Sequence, residues 1–307
     1  MKVLVTGGNG FIGSHLADRL IDMKESVSLL DLRFGPNTGS IDCRKIHADV
    51  RDYDSVKKAV HGADAVFHFA AVSRVVWGQE RPLDCWQTNV LGTLNILEAC
   101  RKMNPSPLVL YASSREVYGE PQHFPVDENH PKNPKSVYGM SKLCAEKSCL
   151  SYYHAFGVKT VILRFSNIYG SRRDQLDRVA PKFMLRSLCN EPITVYGGDQ
   201  VLDFTFIDDA ITGILQALDR ANVEDQDIAG EDFHFVTGKG VSVYSLAKKI
   251  TGLCGSSSVI SREDSREFEV QSFIGNPMKS LKRLGFVART ELEDGLRMLK
   301  SQLESIA

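Results

Sequence analysis

Three glycines, Gly7, Gly10 and Gly13, each three residues after the last, sit inside TGGNGFIGSHL near the start of the chain. Just before them, Lys2–Thr6 is short, apolar and β-branched and predicts a buried strand. Just after, Ile12, Leu16, Leu20 and Met23 recur at helical spacing. Glycine permits the tight turn between strand and helix and lets the backbone come close to a ligand. The free N–H groups and positive dipole end of the following helix suit a phosphate. This order predicts a dinucleotide-binding turn in which Gly7, Gly10, Phe11, Ile12 and Gly13 hold a pyrophosphate.

The alternation continues. Ser26–Asp31 predicts a second strand, and 45–49, 65–70, 108–113 and 159–165 predict four more. Helical patterns over 54–60, 89–103 and 138–156 separate them, the last one stopped by Gly157. Strands alternating with helices predict an α/β fold, a Rossmann-type doubly wound parallel sheet covered on both faces. Past Gly170 the elements shorten, with helices expected near 180–188, 208–218, 242–250 and Leu292–Leu303. A smaller C-terminal mixed α/β lobe is expected there. The predicted division gives 1–170 to the dinucleotide domain, with part of 205–235 returning to it, and 171–204 with 236–307 to the substrate lobe. The acidic stretch 225–232, DQDIAGED, predicts a surface loop.

Composition narrows the function. At 307 residues, 43% hydrophobic and 24% charged, the chain can bury its own core and is too ordinary for a disordered or coiled-coil protein. Its 37 Lys and Arg balance 38 Asp and Glu, so no basic excess speaks for nucleic acid or an anionic membrane. The seven cysteines form no CxxC pair and have no His-rich partner cluster. They read as idle thiols in a reducing cytoplasm, with neither a disulfide framework nor a metal site. Met1-Lys2 runs straight into the first strand, leaving no room for a signal peptide. No apolar run approaches the ~20 residues that span a bilayer.

Asp31 closes the second strand, where an acid grips the ribose hydroxyls of an adenosine; its carboxylate repels a 2′-phosphate and favours NAD over NADP. Arg33 nearby is the counter-indication, and a strand-end turn is the plain structural reading of Asp31. Tyr138 and Lys142 stand four apart on one face of a predicted helix. A cation beside a phenol is expected to lower its pKa and make it a general base for a sugar hydroxyl. Ser113 and Ser114 end the fifth strand, on the carboxyl edge where such sheets place ligands.

Together these motifs resemble the extended short-chain dehydrogenase/reductases, specifically the nucleotide-sugar epimerase/dehydratase group. TGGNGFIGSHL, ADV at 48–50, HFAA at 68–71, SSREVYG at 113–119, VYGMSK at 137–142, RFSNIYG at 164–170 and DFTFIDDA at 203–210 follow in the group's order. The resemblance implies a catalytic set of Ser114, Tyr138 and Lys142, with NAD touched by Asp31, Asp49, Val50, Phe69, Ala70, Ala71, Tyr138 and Lys142. It implies that Asn167 and Arg266 contact the substrate diphosphate and that Arg74 and Trp77 line the sugar pocket. For Trp77 packing is the plainer role, and His68 reads as a core histidine. The implied reaction is a transient oxidation at carbon 4 of a UDP-hexose, followed by return of the hydride to the other face. The helices over 89–103 and 138–156 resemble those that pair the group's homodimers.

Two departures bear on the reaction. Glu116 occupies a position where dehydratases and decarboxylases carry Glu, and where a carboxylate can take a proton from carbon 5 of a ketosugar. The alternative is a structural partner. Hexose 4,6-dehydratases carry an acidic Asp just before it, whereas Arg115 stands here and is a poor proton donor. Arg115 instead suits a sugar carboxylate, a phosphate or an ion pair. Leu202 stands where relatives place a diphosphate-binding arginine, which leaves Arg172, Arg173, Arg178 or Arg266 to replace it. The expected function is therefore an NAD-dependent UDP-hexose 4-epimerase, with a dehydratase or decarboxylase using Glu116 as the alternative.

Overall fold

The computed structural model of the chain describes residues 1–223, 228–265, 268 and 270–306. Its first half runs β1 (Lys2–Thr6), α1 (Phe11–Asp22), β2 (Ser26–Asp31), β3 (Arg44–His47), α2 (Tyr53–Val60), β4 (Ala65–His68), α3 (Val75–Glu80) and α4 (Pro82–Trp86). A π turn, Gln87–Leu91, leads into α5 (Gly92–Arg101) and β5 (Leu108–Ser114). A 3₁₀ turn, Arg115–Tyr118, precedes α6 (Val137–Phe156) and β6 (Thr160–Phe165). Then come β7 (Asn167–Tyr169), α7 (Val179–Leu188), β8 (Ile193–Tyr196), β9 (Val201–Phe206), α8 (Ile207–Ala221), β10 (Asp232–Phe235) and β11 (Gly240–Ser242). The chain closes with α9 (Val243–Cys254), β12 (Ile260–Glu263), β13 (Ser272–Phe273), α10 (Met278–Leu284) and α11 (Leu292–Leu303).

Among the described residues, seven strands form one sheet in the order β10-β6-β5-β4-β1-β2-β3. Every pairing in it is parallel. Its strands alternate in facing. Val3, Val5, Phe67, Leu110 and Leu163 pack into one hydrophobic cluster with α1 and α8, while Leu4, Val66, Val109 and Ile162 pack into another with α2, α5 and α6. Burial on both faces explains why β4, β5 and β6 are almost unbroken apolar runs. The strand order reverses between β2-β1 and β1-β4, and ligands of such sheets bind at that switch point, outside the carboxyl ends.

Past β6, β9 gathers β11 antiparallel and both β13 and β7 parallel, while β12 pairs β8. These strands are two to six residues long, too short to show a period in the sequence. Two expectations need correction. The helix expected over 89–103 opens instead as a π turn, because Thr93 Oγ1 bonds back to the Asn89 carbonyl at 2.6 Å and the Asn89 amide is drawn to Val72 and Ser141. The acidic stretch is not all loop. Asp232 opens β10 opposite Ile162, its carboxylate drawn in by Arg164 and Lys279, while 225–227 lie outside the described residues.

Candidate active site

The glycine turn is as tight as backbone permits. Gly7 has φ +68°, and a Cβ there would lie 2.7 Å from the Ala70 nitrogen. A Cβ on Gly13 would lie 2.3 Å from the Gly7 carbonyl oxygen. The ends of β1 and β4 therefore meet through bare backbone, with Phe69, Ala70 and Ala71 beside the turn. Gly10 caps α1 with no side-chain hydrogen bond, which leaves the first-turn N–H groups around Phe11 and Ile12 to an incoming acceptor. The Asp31 carboxylate takes the Asn9 N–H at 2.9 Å and is fixed beside this turn. A cradle that a single Cβ would fill, facing a helix N-terminus and an anchored acid, fits a dinucleotide such as NAD. Asp49 is otherwise engaged: it accepts Arg51 Nε at 2.8 Å and Nη2 at 2.6 Å, which holds its carboxyl below the usual range. Val50 beside it is buried against Gly92.

Ser114, Tyr138 and Lys142 are brought together by packing at the start of α6. Ser136 caps the helix through Gly139 N–H, and Gln79 accepts Val137 N–H. A Cβ on Gly139 would lie 2.5 Å from the Glu116 carbonyl, so α6 begins jammed against the 3₁₀ turn that follows Ser114. Lys142 is buried and donates to the Ala112 carbonyl at 2.8 Å, with Nζ 5.9 Å from the centre of the Tyr138 ring. Asn89 ties the scaffold together, bonding Ser141 Oγ at 2.9 Å and both polar groups of the Val72 backbone.

The electrostatics reverse one expectation. Burial pushes the Tyr138 phenol up to about 12; a hydrogen bond with Ser114 works the other way, and the Glu116 carboxylate adds to the rise. Burial also pulls the Lys142 pKa down, to about 8, which still leaves the ammonium mostly charged at neutral pH. Loss of hydration outweighs the neighbouring cation.

Behind the site lies a cluster that the sequence reading missed. Ser113 Oγ donates to Glu146 Oε1 at 2.5 Å, and Glu146 forms a two-pronged pair with Arg164, both bonds at 2.8 Å. Arg164 Nη1 also donates to the Tyr118 hydroxyl, which bonds His234 Nε2 at 2.6 Å. Glu146 lies four residues beyond Lys142, on the Tyr138 face, so the helical spacing carried a signal for it.

The remaining candidates divide. Glu116 is buried and pairs with Arg115 at 3.0 Å. Arg74 pairs with Asp177 at 2.5 Å and stands 5.4 Å over Trp77. Asn167, in β7, donates to the Asp203 carbonyl at 3.3 Å. Leu202 is a buried β9 residue of the core, which gives a reason for its apolar character. Arg173 is committed to Asp18 and the Ser14 carbonyl, whereas Arg178 pairs with Asp174 and its charge reaches Tyr138. Arg266 lies outside the described residues. His68 is a core histidine, held neutral near 3 by burial, between Thr6 and Thr93. The seven cysteines are free, and among the described residues no helix is long and apolar enough to cross a membrane.

Comparison with known proteins identifies the family and the fold. Residues 3–231 match a sequence profile described as the NAD dependent epimerase/dehydratase family. The chain is 35% identical over 309 residues to the "Putative UDP-glucose 4-epimerase" of Methanocaldococcus jannaschii, covering 99% of this chain and 98% of that one. It is 30% identical over 304 residues to UDP-glucuronic acid decarboxylase 1 of Xenopus tropicalis, covering 96% of this chain and 70% of that protein. Its fold superposes with a TM-score of 0.91 on the crystal structure of UDP-glucuronic acid 4-epimerase from Bacillus cereus in complex with UDP-glucuronic acid and NAD, at 29% identity and 100% coverage of both chains.

Proposed function

The chain belongs to the NAD dependent epimerase/dehydratase family, and on that premise we propose that it is a UDP-sugar 4-epimerase that retains its NAD. The observation that carries this reading is the convergence of Ser114, Tyr138 and Lys142 at the carboxyl end of β5. In this mechanism Tyr138 takes the proton of the sugar 4-hydroxyl. Ser114 holds the same oxygen by a hydrogen bond, and Lys142 keeps a positive charge beneath the phenol ring. NAD, when bound, would supply the acceptor and later the donor of the hydrogen at carbon 4. The 4-keto sugar turns over before reduction, and Tyr138 returns the proton, so NAD is not consumed.

In the same reading Gly7, Gly10, Phe11, Ile12 and Gly13 seat the pyrophosphate, and Asp31 the ribose. Asp49 and Val50 border the adenine, Phe69, Ala70 and Ala71 the ring beyond it. Arg74 and Asn167 face the substrate, with Arg266 at the diphosphate. The division into a dinucleotide domain and a substrate lobe at residue 170, with part of 205–235 returning, belongs to this reading, as does a cytoplasmic location. So does a homodimer through α5 and α6, near which Leu91 and Met140 expose apolar surface.

A second reading rests on Glu116, a buried carboxylate whose charge acts on Tyr138. As a base at carbon 5 it would make the protein a decarboxylase or dehydratase. Its pairing with Arg115 favours epimerisation, and the lack of an acidic residue before it speaks against 4,6-dehydration. Proton NMR in deuterated water with a panel of nucleotide sugars separates the two. Inversion at carbon 4 without deuterium at carbon 5 supports the epimerase; loss of carbon dioxide or water with deuterium at carbon 5 replaces it with the second reading.

A further inference from the structure

Arg115 follows Ser114 directly, and its side chain is only 12% exposed. Its guanidinium is fixed on two sides. Nη2 pairs with Glu116 Oε1 at 3.0 Å, and the central carbon stands 5.9 Å from the Phe273 ring centre. Nη1 is buried and has no hydrogen-bond acceptor among the described residues. A buried cationic donor without an acceptor is costly, and natural proteins leave few of them without a functional reason.

The position of this donor limits what it can meet. Glu116, the partner of Arg115, lies close enough to Tyr138 for its charge to be felt there. The guanidinium is thus one side chain removed from the phenol and one residue from the Ser114 hydroxyl. A sugar held by its 4-hydroxyl on Ser114 and Tyr138 carries its carbon 5 substituent two bonds from carbon 4. The diphosphate leaves from carbon 1, across the ring. A neutral hydroxymethyl group at carbon 5 would give Nη1 an ordinary hydrogen bond. A carboxylate there would give a charge-assisted one, stronger by about a factor of two.

We propose that Arg115 determines specificity by receiving, on Nη1, a carboxylate at carbon 5 of the substrate, so that the preferred substrate is a UDP-hexuronate rather than a UDP-hexose. This rests on the 4-epimerase reading for the orientation of the sugar. The pair with Glu116 prepares the guanidinium by fixing its plane, which reduces the ordering cost of binding.

The test uses the NAD-loaded protein with UDP-glucuronate and UDP-glucose, in wild type, Arg115→Met and Arg115→Lys. Calorimetric affinity is read beside turnover by NMR. The expected wild-type preference for UDP-glucuronate is about 10–100-fold, from a hydrogen bond to a charged group. Arg115→Met should bring the two affinities to within about threefold, with Arg115→Lys in between. Because Arg115→Met strands the Glu116 charge, Arg115→Met/Glu116→Gln is run alongside, and it should show the same lost preference. Equal wild-type affinities, or a variant that weakens both sugars by one factor, would overturn the proposal. If wild type binds UDP-glucuronate selectively yet inverts neither sugar, the 4-epimerase reading fails while the assignment of Arg115 stands.

Discussion

Consider the removal of Arg164. Its guanidinium donates two bonds to Glu146 and one to Tyr118, and both charged side chains of the pair are 2% exposed. Burial works against the charge of Arg164, but the attached carboxylate more than offsets it and holds the pKa above its ordinary value. Arg164→Met would strand Glu146 in the core with only Ser113 as donor. Breaking a buried pair by deleting one partner costs about 3–5 kcal/mol. Glu146→Gln should cost less, near the lower end, because Asp232 still pairs with Arg164. The double variant Arg164→Met/Glu146→Leu leaves neither buried charge. What it loses is the hydrogen bonding of Ser113 and Tyr118, about 1 kcal/mol each, plus the ion pair to the partly exposed Asp232. It should therefore cost about 2–4 kcal/mol, well below the sum of the singles. Urea unfolding at pH 7 by circular dichroism measures all of these, and a cycle completed with Glu146→Leu gives the coupling, expected to be at least about 2 kcal/mol. Single variants that lose less than about 1 kcal/mol, or costs that simply add, would refute the account of a strongly coupled buried pair.

Tyr138→Phe should lower turnover by about 10²–10⁴-fold while NAD still binds; near-normal turnover removes Tyr138 from the chemistry. Gly13→Ala places a Cβ 2.3 Å from the Gly7 carbonyl and should cost about 1–3 kcal/mol, read as a lower melting temperature with weaker NAD binding. An unchanged melting temperature and affinity would contradict the close approach. Burial holds His68 near 3 in the folded protein, so between its unfolded value of 6.5 and 3 only the unfolded chain takes up that proton, and stability falls as pH falls. Replacing it by Gln should reduce the slope of unfolding free energy between pH 6 and 4 by about 1.4 kcal/mol per pH unit; an unaltered slope shows that His68 is not the titrating group. Glu116→Gln removes a charge that raises the Tyr138 phenol and should move the acid limb of the kcat/KM profile to lower pH. Abolished turnover across the whole pH range would instead mark Glu116 as the obligatory base of the second reading.

The central strands β4, β5 and β6 were legible because they are buried on both faces and leave nearly unbroken apolar runs, whereas β10, the seventh strand, was hidden in a stretch that reads as an acidic loop. Lys2–Thr6 ends where its ladder with β2 ends, and Ser26–Asp31 where its ladder with β3 ends. Tyr138 and Lys142 were legible because helical spacing alone places them on one face. The strands around β9 were not, since two to six residues give no measurable period and their partners lie far off in sequence. The Ser113-Glu146-Arg164 cluster joins three elements and needs the fold to assemble it, although Glu146 extends the Tyr138 face by one turn. The direction of the Tyr138 pKa was misjudged for a related reason. Sequence supplies the neighbouring cation but not the depth of burial, and here depth decides the sign.

That sign constrains how the site can work. A phenol at about 12 ionises at neutral pH only at a cost of about 7 kcal/mol. One positive charge brought to about 4 Å contributes about 4 kcal/mol at an effective dielectric of 20, which covers more than half of that cost. A bare carboxylate at the same distance would cancel it. Glu116 is a carboxylate near Tyr138, and it is paired at 3.0 Å with the adjacent Arg115. The pair does not silence Glu116, whose charge still raises the phenol, so a positive charge that ionises Tyr138 must also overcome what Arg115 leaves uncancelled.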